Sequence, residues 1–205
     1  MCIRDSGISN ITKEDFDWAK RLNKTIKLVA QIDNSMDGFN ARVYPVLVDS
    51  KHPLAAIRGA LNAVLVEGEN INQLVFSGPG AGSAPTASAI IGDVFSACHQ
   101  MLSSQTNWYP LRTPKSGDKE FKDVQSSWFI RLSVKDEPGV LATIAGLFGE
   151  NNVSIESVIQ EGRGDNAELV LVTHEAEENN LTSSIESISK LSSVSSVTST
   201  IRVYI

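Results

Sequence analysis

Cysteine is nearly missing from this chain: Cys2 and Cys98 are its two copies in 205 residues, too few for a disulfide framework. Histidine is almost as sparse. His52, His99 and His174 stand far apart, with no Cys/His cluster at metal-ligand spacing, so no metal site is expected. No apolar run approaches the ~18 residues that a membrane helix requires, and no signal-peptide pattern opens the chain. The expectation is a cytoplasmic protein that makes no membrane contact. Nor is there an excess of positive charge. Residues 1–112 carry ten basic and ten acidic side chains, residues 113–127 three of each, and residues 128–205 five basic against eleven acidic. The whole acidic excess thus sits in the last part, which points to a second domain with its own surface. With no basic face anywhere, nucleic acid is not an expected partner.

What is present is centred on Ser77 to Phe95, SGPGAGSAPTASAIIGDVF. Glycines at Gly78, Gly80 and Gly82 follow the apolar run Leu74-Val75-Phe76 directly. Beyond them, Ala87, Ile90, Ile91, Val94, Phe95, Cys98 and Leu102 recur at helical spacing, and Pro85 suits a first helical turn. The pattern is strand, glycine-rich turn, helix. Such a turn lets backbone N–H groups approach a ligand, and the helix start behind it favours negative charge. Its spacing is neither G-x-G-x-x-G nor a P-loop, so local chemistry alone equally allows a tight turn with no ligand.

Upstream, MCIRDS (1–6) fits no pattern that follows and is expected to be a foreign start. From Gly7 the chain places a helix behind Thr12, with Asp15 in capping-box position and Phe16, Ala19 and Leu22 on one face. Strands are expected at Ile26 to Ile32 (Ile26, Leu28 and Ala30 together) and at Ala41 to Val48, where Pro45 suggests an edge or bulge. Leu54, Ile57 and Leu61 read as a helix that gives way to a strand at Ala63 to Val66, ended by Gly68. His52 before a proline reads better as a turn residue than as a base. Arg58, Glu67 and the lysines at 20, 24 and 27 read as surface groups.

Residues 103–127, with two prolines and a Ser-Gly pair, read as a linker whose Trp108-Tyr109-Pro110 is expected to tuck against the preceding domain. Residues 128–205 form a repeat-free unit of their own. WFIRLSVK alternates as a half-buried strand; Pro138 opens a helix striped by Val140, Leu141, Ile144, Leu147 and Phe148 and ended by Gly149 and Asn151-Asn152. Strands at Val153 to Gln160 and Ala167 to His174 flank a GRGD turn. A helix striped by Leu181, Ile185, Ile188 and Leu191 precedes a last strand at Val197 to Ile205. The order β-α-β-β-α-β is the ferredoxin-like split arrangement. Glu156, Glu161 and Glu168 read as a solvated acidic face.

GPGAG with PTASAIIGD, HPLA with GALNAV, and IT-x-ED with IKLVA resemble the later catalytic region of homoserine dehydrogenases. DEPGVLATIAGLF with NVSIESVIQ resembles the ACT domain, the amino-acid-sensing module of biosynthetic enzymes. The resemblance implies an α+β chain: 7–107 as part of a substrate and dimerisation domain with an open mixed sheet, 108–127 as linker, 128–205 as a ferredoxin-like ACT domain. It implies a parent enzyme that interconverts homoserine and aspartate 4-semialdehyde with NADP or NAD, on the route to threonine and methionine. Gly78, Gly80, Ala81 and Gly82 would border the nicotinamide, and Asp136, Gly139, Val140 and Leu141 would form the effector turn, with threonine the first effector to expect. The family's catalytic lysine and dinucleotide-binding half have no counterpart here, so no catalytic residue is assigned and the 205 residues are expected to be inactive alone, though homodimeric. The alternative is a free-standing regulator that binds an amino acid without chemistry.

Overall fold

The computed structural model describes residues 7–35, 38–103, 124–164 and 167–204. Residues 1–6, most of the expected linker with Trp108-Tyr109-Pro110, and Asp165 of the GRGD turn lie outside the described residues. The described residues within Met1–Ser50 and Ser116–Ile205 form one compact unit, and those within Lys51–Lys115 form another. The division drawn from the sequence at 107 and 128 does not follow these units, because the early strands join the late ones.

In the first unit, α1 (Lys13–Arg21) starts behind Thr12, whose N–H donates to the Asp15 carboxylate at 2.7 Å, as the capping box requires. Ala19 and Leu22 face the core as expected, but Phe16 does not. Asp15, Trp18 and Ala19 are buried, whereas Phe16 is 45% exposed. Two long strands follow, β1 (Lys24–Ser35) and β2 (Gly38–Asp49), paired antiparallel from Lys24↔Asp49 to Ser35↔Gly38. Ile26, Leu28 and Ala30 alternate onto one face of β1, but Ile26 is covered and Leu28 is not.

Beyond the linker come β5 (Gln125–Val134), α3 (Val140–Glu150), β6 (Ile155–Glu161), β7 (Ala167–Thr173), a two-residue β8 (Ala176–Glu177), α4 (Glu178–Ile188) and β9 (Val194–Val203). The strand order β1-β2-β9-β5-β7-β6 places the ferredoxin-like order within a larger mixed, open sheet. The α+β class and the open mixed sheet are therefore as expected. β9 pairs antiparallel with β5 and parallel with β2, at Val46↔Arg202 and Leu47↔Val203. The Tyr204 N–H extends this seam by donating to the Leu47 carbonyl at 2.8 Å. Pro45 therefore does not mark an edge strand; β9 joins β2 just past it, so the proline interrupts no bond on that side.

Both faces of β5 are covered, which corrects the half-buried reading. Ile130, Leu132 and Val134 pack with Ile144 and Phe148 of α3 and Leu181 and Ile188 of α4. Phe129 turns to the other face and packs with Trp18, Ala19, Leu47, Val170 and Ile201 beneath α1. Burying each such side chain contributes about 1.5–3 kcal/mol, so both faces matter to stability.

The second unit is a hairpin and a helix. Pro53–Ala56 makes one 3₁₀ turn, with His52 as its N-cap accepting the Leu54 N–H at Nδ1 (3.3 Å). The expected helix through Leu61 does not form. Gly59 takes φ +63°, and Leu61 already begins β3 (Leu61–Gly68), paired antiparallel with β4 (Asn72–Pro79). The long helix α2 (Ser83–Ser103) follows.

Candidate functional site

The first candidate is the glycine turn between β4 and α2. Gly78 is still in the ladder, opposite Asn62 of β3. The Gly80 N–H donates to the Ala60 carbonyl at 2.9 Å, and a Cβ at Gly80 would stand 2.0 Å from Asn62 Nδ2. A side chain at 80 would have to displace the exposed Asn62 amide. Gly82 takes φ +127°, and its carbonyl accepts from both N–H and hydroxyl of Thr86, locking the first turn of α2. Pro85 lies in that turn, as the sequence suggested. The four residues Gly78, Gly80, Ala81 and Gly82 are brought together on one turn in front of a helix whose first N–H groups have no intrahelical partner. Residues 72–103 contain no lysine or arginine.

Around this turn the apolar side chains point outward. Val64, Phe76, Ile90, Ile91 and Val94 are exposed, Phe95 is 72% exposed and Leu102 86%. A hairpin and a helix with this much uncovered apolar surface form a face for further chain.

The second candidate is the turn from β5 into α3. Gly139 is the N-cap at φ +93°, and no side chain caps the helix. Pro138 precedes the cap and does not open the helix as expected. Val140 packs into the core and Leu141 stands 40% exposed beside the turn. Asp136 is exposed and held twice: its N–H donates to the Gly164 carbonyl (2.8 Å), and its Oδ1 accepts from Gln160 Nε2 (2.8 Å). The four regulatory residues named from sequence thus meet at one place, an open helix start beside a carboxylate. That arrangement can take a carboxylate on backbone N–H groups and a cation on Asp136.

A third cluster was missed by sequence reasoning. Arg131 of β5, 4% exposed, donates from Nε to Asp15 (3.0 Å), from Nη1 to Glu168 (2.7 Å) and from Nη2 to the Thr12 hydroxyl (2.9 Å). Glu168 of β7 also accepts the Trp18 indole N–H at 2.8 Å. Arg21, stacked 3.8 Å from the Trp18 ring, pairs with Glu161 of β6, and that bond holds the Glu161 carboxyl below its ordinary range. Glu161 and Glu168 thus stay partly solvated, as expected, while each also bonds a side chain of α1; Glu156 is exposed. Alternation within β5 put Arg131 opposite Ile130, but nothing local announced partners more than a hundred residues away.

By architecture this is an α+β chain whose ferredoxin-like part carries an exposed turn ahead of α3. Residues 2–95 match the family model for homoserine dehydrogenase, and residues 128–193 match that for the ACT domain. The chain is 35% identical over 205 residues to the homoserine dehydrogenase of Bacillus subtilis, covering 98% of this chain and 47% of that protein. It is 38% identical over 213 residues to that of Mycobacterium tuberculosis, covering 96% and 47%. The crystal structure of a homoserine dehydrogenase from Thiobacillus denitrificans superposes with a TM-score of 0.89 at 29% identity, covering 97% of this chain and 47% of that one. The chain belongs to the homoserine dehydrogenase family and includes an ACT domain. It spans about half the length of the curated relatives it matches.

Proposed function

We propose that this chain is the later portion of an NAD(P)-dependent homoserine dehydrogenase, the oxidoreductase that interconverts homoserine and aspartate 4-semialdehyde. The cofactor supplies hydride transfer when bound. The contribution of this chain is a wall: the turn of Gly78, Gly80, Ala81 and Gly82 presents backbone to the nicotinamide, and the start of α2 orients its neutral carboxamide. The observation that carries this reading is the second unit itself, a glycine turn free of cationic side chains set among uncovered apolar groups from Val64 to Leu102. A free-standing regulator would have no reason to keep that surface bare.

The ACT domain serves as the regulatory part. An amino acid, threonine first, places its carboxylate on the N–H groups of the first turn of α3 and its ammonium by Asp136, with Leu141 beside its side chain. The functional assembly is a cytoplasmic homodimer. The 205 residues alone do not catalyse the reaction, because the family's catalytic lysine and dinucleotide-binding half have no counterpart in them. The test is an assay of the purified chain for NADP- and NAD-dependent homoserine oxidation beside calorimetry with L-threonine. No turnover with saturable threonine heat is the expected result. Turnover by the isolated chain would overturn the division of labour.

A further inference from the structure

The effector turn and helix α1 lie on opposite sides of the same sheet, yet one strand end touches both. On one side of β6, Gln160 donates to the Asp136 carboxylate. The next residue, Glu161, faces the other side and pairs with Arg21 of α1. Three residues further, the Gly164 carbonyl accepts the Asp136 N–H. Glu161 is thus bracketed by two contacts to Asp136. The segment between them includes Gly162 at φ +84° and Gly164 at φ +77°, positions in which the backbone rearranges at little cost for glycine.

We propose that Glu161 relays the state of the Asp136 turn to α1. This rests on the reading of that turn as an amino-acid site. An ammonium seated on Asp136 competes with the Gln160 amide for the same carboxylate oxygen and releases the end of β6. Glu161 moves with its strand and draws on Arg21. Arg21 is stacked on Trp18, and Trp18 is bonded to Glu168, which also holds Arg131. At the far end of the network Asp15 is fully buried and bonded to both Thr12 and Arg131, so the displacement appears at the Arg21 end of α1. There Asn23, at φ +56°, turns the chain directly into β1, and its carbonyl accepts the Ser50 N–H from beyond the end of β2 (3.0 Å). A shift at Arg21 therefore reaches both ends of the β1–β2 hairpin at its base, the point from which the chain continues into the second unit. Glu161 and Arg21 are positioning residues in this scheme; neither touches the ligand.

The experiment uses the whole chain labelled with 5-fluorotryptophan, the Trp18 resonance being assigned by its loss in Trp18→Phe. L-threonine is titrated while fluorine NMR and calorimetry are recorded. Gln160→Ala is examined without ligand, since it removes the amide that threonine is expected to displace. The relay predicts that threonine and Gln160→Ala each move the Trp18 resonance. In Glu161→Ala the calorimetric affinity stays within about threefold, yet the threonine-induced shift falls by more than half. An unchanged shift in Glu161→Ala, or a Trp18 resonance that Gln160→Ala leaves in place, overturns the relay. If threonine gives no heat, the ligand reading fails and the Gln160→Ala arm alone decides: movement of Trp18 upholds the relay, and stasis rejects it.

Discussion

Arg131 Nε lies 3.0 Å from Asp15 Oδ1, with both side chains withdrawn from water although the two stand 116 positions apart in the chain. The same Asp15 carboxylate caps α1 through the Thr12 N–H, so one acidic group fixes the helix start and holds it on the sheet. Removing one partner of a buried pair leaves the other uncompensated. Asp15→Ala is expected to destabilise the first unit by about 3 kcal/mol. The double variant Asp15→Ala, Arg131→Met is expected to recover much of that loss. Urea denaturation followed by far-UV circular dichroism measures both, and a double variant no better than the single one would show that the charge was not the cause.

Arg42 is the opposite case. It is buried, with Nη2 on Asp33 at 3.2 Å and its guanidinium 5.1 Å from the Tyr44 ring, but Nε and Nη1 have no partner among the described residues. Burying unsatisfied donors costs stability that a matched apolar side chain does not lose. Arg42→Met is therefore expected to raise the stability of the chain by about 1 kcal/mol, seen as a higher urea midpoint with an unchanged slope. A lower midpoint would mean that those donors are satisfied in solution.

Gly139 holds the left-handed cap of α3 with nothing within 4 Å of where a Cβ would stand. Strain, and not crowding, is then the whole penalty. Gly139→Ala should cost about 1–2 kcal/mol, whereas Gly146→Ala, inside α3 with equally open space, should be neutral or stabilising. Thermal melts of the two variants side by side separate backbone strain from helix propensity. Equal effects would remove the case for strain.

The hydrogen bond from Arg21 holds Glu161 below its ordinary carboxyl range, and the same bond holds Arg21 charged to still higher pH. A depressed acid contributes stability above its unfolded-state pKa and loses it as pH falls through the lowered folded value. The acid limb of the stability profile, below pH about 4.3, should therefore be shallower in Glu161→Gln than in the parent chain, with no change in slope between pH 6 and 8. Denaturation series across pH 3 to 8 decide this; parallel acid limbs would exclude Glu161 as a contributor.

Local chemistry made much of the fold legible. Thr12 with Asp15 announced the start of α1; the stripe of Ile144 and Phe148 and the Asn151-Asn152 stop announced α3; the order of elements beyond 128 announced the ferredoxin-like sheet. Each is written within a dozen residues. The misreadings arose where a distant partner overrode a local pattern. Of the stripe Phe16, Ala19 and Leu22, the last two pack inward, but Asp15, bonded to Arg131, takes the buried place next to Phe16, which stays exposed. Leu54, Ile57 and Leu61 had helical spacing too, yet β4 recruits Leu61 into a hairpin. Of the candidate sites, the residues of both turns were legible because glycine and proline mark backbone geometry directly. The anchoring of α1 by Glu161 and Glu168 was not, since an acidic residue on a strand looks the same whether its partner is water or an arginine from the other end of the chain.

The seam between β2 and β9 has a consequence for modularity. Small sensing domains are often treated as cassettes, to be cut at a linker and grafted onto another enzyme. Here a cut ahead of β5 would strip β9 of its outer neighbour at Val46 and Leu47 and uncover Phe129, Val170 and Ile201 where α1 had lain. A workable graft must therefore carry two separate pieces of the chain, α1 through β2 as well as β5 through β9. Any recombination that inherits one without the other inherits a sensor with a raw edge.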